Sequence, residues 1–142
     1  MFILDTDAIT RHQNAHTVLS ARVSSTPPTQ LFTTSVTVEE QLKGRLSYLN
    51  THRNDPRKSA QGHAALVRTV YYFNQWNILL FDEETDTIFR QLRLQRVRIG
   101  SQDLRIAAIA LLHGFTVVTS NTRDFAQVSN LKVEDWTASD PQ

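Results

Sequence analysis

Four short acidic stretches punctuate the chain, each where an apolar run gives way to a helical pattern. They are Asp5 in Phe2-Ile3-Leu4-Asp5-Thr6-Asp7, Glu40 in Thr37-Val38-Glu39-Glu40-Gln41-Leu42, Asp103 in Gly100-Ser101-Gln102-Asp103-Leu104, and Asp124 in Ser120-Asn121-Thr122-Arg123-Asp124-Phe125. In an open α/β sheet such junctions line the crevice at the carboxyl ends of the strands, so acids distant in sequence are expected to meet. Two carboxylates about 4 Å apart repel by roughly 4 kcal/mol at an effective dielectric near 20. A proton neutralises a pair, but three or four acids are better served by a hard divalent cation that prefers oxygen ligands. Mg2+ is the expected ion, with Mn2+ a possible substitute; zinc suits this donor set poorly. A cation so held makes a bound water more nucleophilic and stabilises charge on the oxygens of a phosphodiester, which is nuclease chemistry.

Each acid also has a purely structural use. Asp5 can accept amide protons of the turn that follows, Thr37 with Glu40 has capping-box spacing, Asp103 falls in the first turn of a helix that Ser101 would cap, and Asn121 with Asp124 resembles another cap. What favours a site is their conjunction. Competing chemistries have little to draw on: there is no cysteine, no serine triad and no Walker-type glycine loop. His12 and His16 stand four apart with no third ligand evident, which is weak ground for zinc. Arginines are the main basic residues, and Arg90, Arg93, Arg96, Arg98 and Arg105 crowd the approach to Asp103. A solvated helix face accounts for that run on its own, while Arg93, Arg96, Arg98 and Arg105 are the candidates for binding phosphates.

The elements that must position these residues alternate. Phe2 to Leu4 reads as a buried strand, Val18, Leu19 and Val23 as part of a helix ended by Ser24-Ser25-Thr26-Pro27-Pro28, and Leu31 to Val36 as a second strand. Val38, Leu42, Leu46 and Leu49 recur at helical spacing. After the polar break at Thr51 to Pro56, a long helix is expected over Ala60 to Trp76, with Ala64, Val67, Tyr71 and Phe73 or Trp76 inward. Ile78 to Phe81 reads as a third strand, and Asp82-Glu83-Glu84 as the acidic opening of a helix carrying Ile88 and Leu92. A further helix has Leu104, Ala107, Ala108, Leu111 and Leu112 in one stripe and ends at His113-Gly114. Phe115 to Thr119 is the next strand, Asn121 to Gln127 a short helix, and Leu131 to Val133 an edge strand. Repeated β-then-α order implies a parallel sheet covered by helices.

The bulk composition agrees. A chain of 142 residues, 40% hydrophobic and 20% charged, suits one domain with an ordinary core. A net charge of +1 gives no licence for general polyanion binding, and the absence of cysteine fits a reducing cytoplasm. The apolar start, Met1 to Leu4, meets Asp5 too early for a signal peptide, and no run is long enough to span a bilayer, so neither export nor membrane insertion is expected.

Taken in order, these stretches resemble the PIN domain, and more narrowly the VapC-type toxins of bacterial toxin-antitoxin pairs. The resemblance runs through Leu4-Asp5-Thr6-Asp7, Ser35-Val36-Thr37-Val38-Glu39-Glu40-Gln41-Leu42-Lys43-Gly44 and Leu80-Phe81-Asp82-Glu83. It continues over Ile99 to Ala108, Thr119 to Phe125 and Leu131-Lys132-Val133-Glu134-Asp135-Trp136. It implies a three-layer α/β/α domain over residues 1–142, with a mainly parallel sheet of about five strands and a short tail after about residue 137. It also implies a Mg-dependent endoribonuclease cutting transfer or ribosomal RNA, a homodimer, and a small cognate antitoxin, for which Tyr72 and Trp76 are candidate contacts. Asp5, Glu40 and Asp103 match the core metal-binding acids; Asp124 is assigned the fourth position and Asn121 a neutral contribution through water or the scissile phosphate. Asp7 stands where the family more often has asparagine; it either adds a charge to the site or caps the first helix, and the cap is the favoured expectation. Two other readings are a PIN-like RNA-binding module without catalysis, suggested by Asn121, and a haloacid-dehalogenase-like phosphohydrolase, suggested by Asp5-Thr6-Asp7. The latter also needs a later acidic pair, which Thr119-Ser120-Asn121 does not supply.

Overall fold

The computed structural model describes residues 1–138. Most of the tail expected after residue 137 lies outside the described residues. Five strands, β1 (Phe2–Leu4), β2 (Leu31–Thr34), β3 (Asn77–Leu79), β4 (Thr116–Val118) and β5 (Val133–Glu134), form one sheet in the order β3-β2-β1-β4-β5. Every pairing is parallel. The chain lays its first three strands outward from β1 and then crosses back to place β4 and β5 on the other side. β1 is therefore the point where the strand order reverses, and a crevice opens there beyond the strand ends.

Side-chain alternation along the strands separates two cores. Ile3 and Val117 pack with Phe89, Leu92, Leu104, Ile106 and Phe125 on one face; Leu4 and Val118 pack with Ala8, Ile9, Leu19, Phe73 and Trp136 on the other. The first layer draws on α5 (Glu83–Leu94), α6 (Ser101–His113) and α7 (Thr122–Phe125), the second on α1 (Thr6–Gln13), α2 (Thr17–Ser25) and α4 (Pro56–Asn74). A sheet between two helical layers is the α/β/α architecture expected. The helix α3 (Ser35–Thr51) leaves β2 and packs along α4.

Local chemistry sets the boundaries. The second strand stops at Thr34, short of the expected Val36, because the Thr34 hydroxyl accepts the Thr37 N–H at 3.2 Å and caps α3. Thr37 and Glu40 do not form the capping box their spacing suggests. The third strand begins one residue earlier and ends two residues earlier than expected, at Asn77–Leu79, and Asp82 caps α5 in a true capping box with Thr85. α6 has Gly100 as its N-cap and no side-chain cap, so Ser101 does not cap it; its C-cap is Gly114 at φ 69°, a left-handed turn that glycine takes without strain.

The long helix faces inward differently from the expected stripe. Gly62, Thr69 and Phe73 are buried, while Ala64, Val67 and Tyr71 face solvent and Trp76 is only half-buried. α3 decides this: a Cβ on Gly62 would stand 2.8 Å from Leu49 Cδ2, so the face bearing the smallest residue is the one that meets the neighbouring helix. α6 is likewise buried beyond one stripe, since Ile106, Ile109 and Ala110 are as enclosed as Leu104, Ala107 and Ala108. Among the described residues no helix is long and apolar enough to cross a membrane.

Candidate acidic site at the strand ends

Asp5 follows β1, the central strand, and is 2% exposed. Its N–H donates to Val118 O at 3.1 Å, and its Oδ1 accepts the Ala8 N–H at 2.8 Å, which makes Asp5 the N-cap of α1. Asp7 is not that cap, contrary to the sequence expectation. Its Oδ2 takes the Arg11 Nε at 3.1 Å and the Ser120 hydroxyl, so it ties the first helix to the turn after β4. Being an acid beside acids, it also adds charge to the site.

The other residues arrive from three further elements. Glu40 lies one turn and a half into α3, half-buried, with Oε1 accepting the Thr6 hydroxyl at 2.8 Å. Asp103 is in the first turn of α6, half-buried, and makes no hydrogen bond with a described residue. Asp124 lies in α7, where its Oδ2 accepts the Asn121 amide Nδ2 at 2.9 Å. Asn121 begins that helix without a side-chain cap; its own N–H donates to Thr119 Oγ1 at 2.9 Å.

The electrostatics show that these groups share one field. Burial raises the Asp5 carboxyl from its ordinary 3.8 to about 7, with Asp7 and Asp103 adding to the rise while the Thr119 side chain and the Ala8 N–H oppose it. Asp103 is raised as well, first by burial and then by Glu40, Asp124 and Asp7. Asp103 on α6 thus lies in the field of Glu40 on α3, Asp124 on α7 and Asp7 on α1, and Asp5, beyond β1, in that of Asp7 and Asp103. Among the described residues, however, no three Asp, Glu or His side chains stand close enough to hold one ion between them. The arrangement is a set of converging oxygen donors rather than a closed coordination shell. Its donor chemistry, carboxylates alone with no sulfur or imidazole, fits Mg2+ or Mn2+.

Three hydroxyl residues that the sequence did not single out hold the acids in place: Thr6 on Glu40, Thr119 on Asp5 and Ser120 on Asp7. A small polar residue next to an acid at a strand end was the available signal. The arginines nominated for phosphate contact have the following surroundings. Arg93 stacks over Phe89 at 5.5 Å, and Arg105 lies 4.4 Å from the Phe89 ring while donating to Gln102 Oε1 at 3.1 Å. Arg96 and Arg98 are exposed beyond the end of α5. Of the aromatic candidates, Tyr72 is half-buried with its hydroxyl 2.6 Å from His12 Nδ1, and Trp76 packs edge-on against the same imidazole.

A parallel sheet ordered about β1, with acids gathered at its reversal point, is the architecture of a PIN domain, whose family model matches residues 2–131; the chain belongs to that family. Ribonuclease VapC1 of Haemophilus influenzae (strain R2866) is 28% identical over 141 residues, 96% of this chain and 98% of that protein. Two shorter matches rank higher in identity: ribonuclease VapC1 of Rickettsia felis, 41% over 46 residues, and the tRNA(fMet)-specific endonuclease VapC of Shigella flexneri, 33% over 69. They cover 32% and 46% of this chain and span 34% and 52% of those relatives' length. Similar solved structures include VapBC-1 from nontypeable Haemophilus influenzae, with TM-score 0.75, 24% identity and coverage of 96% of this chain and 98% of that one. FitAcB from Neisseria gonorrhoeae has TM-score 0.73, 26% identity and coverage of 94% and 96%.

Proposed function

We propose that this chain is a Mg-dependent endoribonuclease, the toxin of a toxin-antitoxin pair, cutting transfer or ribosomal RNA by hydrolysis of a phosphodiester bond. The observation that carries the reading is that Asp103, raised by burial, also feels Glu40 and Asp124, while the buried Asp5 feels Asp103, so that acids from four separate stretches are linked through Asp103. Such an arrangement works against folding unless something positive occupies it. The names of the relatives and the family membership point the same way.

Asp5, Glu40, Asp103 and Asp124 would hold the cation. When bound, it supplies charge to the scissile phosphate and makes an attacking water more acidic. The protein's own part is to keep the donors fixed. Asp5 is held by Ala8 and Thr119, Glu40 by Thr6, and Asp124 by Asn121, so little reorganisation is needed at the moment of reaction. With Oε1 taken by Thr6, Glu40 keeps Oε2 for the ion or for orienting the water. In-line attack would leave 5'-phosphate and 3'-hydroxyl ends. The similar VapBC structures support a small antitoxin as partner, and we extend the same reading to a homodimer in the cytoplasm.

Cleavage of transfer and ribosomal RNA should require Mg2+, stop with EDTA, and fall on the order of 100-fold or more in Asp5→Asn and Asp103→Asn. Equal activity across all of these would refute the scheme. RNA binding with no Mg-dependent cutting would establish the non-catalytic reading instead.

A further inference from the structure

Beside the acids, and meeting them at Thr6 and Glu40, a groove of about 1280 Å3 opens between α1, α3 and α4. Successive turns of two helices line it. Gln41, Arg45 and Tyr48 share a face of α3, and Arg68 and Tyr71 come from α4. Glu40 is the one acid among the described lining residues, and it stands at the end next to the site.

The charge in the groove is left for something else. Arg45 Nε donates to Thr69 Oγ1 at 3.0 Å, a neutral partner that orients the guanidinium without cancelling it. Arg68 forms no ion pair with a described residue. Tyr71 is 67% exposed and Tyr48 is exposed too, although burying either would have been favourable. Tyr48 rests one edge against Gly62 and His52 and Tyr71 stands free of the core, so two arginines without an ion pair to a described residue are interleaved with tyrosines open to the groove, a match for a strand with a phosphate backbone and unpaired bases. By contrast, Arg105 is stacked on Phe89 and Arg90 is paired with Asp86 at 2.7 Å.

We propose that this groove is the RNA subsite, taking a single-stranded or loop segment that flanks the scissile phosphate, with Arg45 and Arg68 on backbone phosphates and Tyr48 and Tyr71 stacked on bases. The inference rests on the nuclease reading of the adjoining acids. Eight residues separate Glu40 from Tyr48, a rise of about 12 Å at 1.5 Å per residue, or about three nucleotides at the 3.4 Å stacked spacing. Unpaired bases are required because a base inside a duplex offers no face to a tyrosine.

The test measures binding, not cutting. A short fluorescent single-stranded RNA, and a duplex of the same sequence, are titrated into the full chain in EDTA at several salt concentrations. Arg45→Gln with Arg68→Gln should weaken single-strand binding at least tenfold at low salt and flatten the slope of log K against log salt by about 1.4, roughly 0.7 per lost phosphate contact. Tyr71→Ala should weaken it about tenfold with the slope unchanged. Gly44→Glu is the control for folding: a Cβ there meets nothing within 4 Å and the helix gains a better former, so thermal stability should hold while the new carboxylate in the groove abolishes binding. Asp103→Asn should retain or gain affinity, which separates binding from catalysis. Unchanged affinity and slope in the arginine pair would overturn the proposal. So would preferential binding of the duplex, or a Gly44→Glu protein that keeps RNA affinity but loses a co-purified protein partner. A wild type that binds as described yet never cuts would defeat the nuclease reading alone.

Discussion

Replacing Asp5 by Asn should stabilise the protein at neutral pH while disabling its site. The carboxyl is raised from 3.8 to about 7, so between those values the folded chain binds a proton that the unfolded chain has released. The stability associated with Asp5 is fully present below about pH 4 and is lost as pH rises toward 7, above which the loss is complete. At about 1.4 kcal/mol for each tenfold change, this window corresponds to roughly 4 kcal/mol, an upper bound because the crevice can relax and admit water. Asparagine keeps the shape and the acceptor for Ala8 N–H, and its amide can donate to Thr119 Oγ1 once that hydroxyl turns. Urea unfolding of wild type and Asp5→Asn in EDTA, from pH 4 to pH 8, isolates the effect as a difference. The variant should gain on wild type by a few kcal/mol across the range, with most of the change between pH 4 and 7. Adding Mg2+ at pH 8 should stabilise wild type and leave the variant nearly unmoved. A stability difference that stays flat with pH would show that Asp5 ionises normally and that burial does not strain the site.

Two further outcomes test neighbouring parts of the argument. Asp124→Asn should reduce Mg-dependent cleavage on the order of 100-fold, whereas Asn121→Ala, which loses only the 2.9 Å bond that orients Asp124, should cost about tenfold; cleavage rates that rank the two the other way would make Asn121 the more important group. Two glycines in the packed helices should respond with opposite signs in urea unfolding. Gly62→Ala places a Cβ 2.8 Å from the buried Leu49 and should lose about 1 kcal/mol, while Gly44→Ala meets nothing within 4 Å and should gain up to about 1 kcal/mol; matching signs would refute the packing account.

Asp5 was legible because a carboxylate just beyond a strand has a recognisable place in an α/β chain, and Glu40, Asp103 and Asp124 because each falls early in a helical pattern, in α3, α6 and α7. Their supports were not. Thr6, Thr119 and Ser120 are ordinary polar residues until Glu40, Asp5 and Asp7 are brought to them from up to 114 positions away. The caps failed for a related reason. The spacing of Thr37 and Glu40 permits a capping box, but Thr34 reaches the Thr37 N–H first and leaves Glu40 to the crevice.

Alternation of apolar runs and helical periods, readable along the chain, determined the parallel sheet, the order of its elements and the place of Asp5 beyond its central strand. β1 is the clearest case: Phe2-Ile3-Leu4 can only be a buried strand, and Asp5 must then lie just beyond it. Which face of a helix turns inward was decided by tertiary contact alone. Apolar residues ring α4, so local periodicity leaves its phase open, and the close approach of Leu49 to Gly62 selects one face while sending Tyr71 to solvent. The groove beside the acids is a product of that choice, because Arg45 and Arg68 acquire a common space only when α3 and α4 pack in this register.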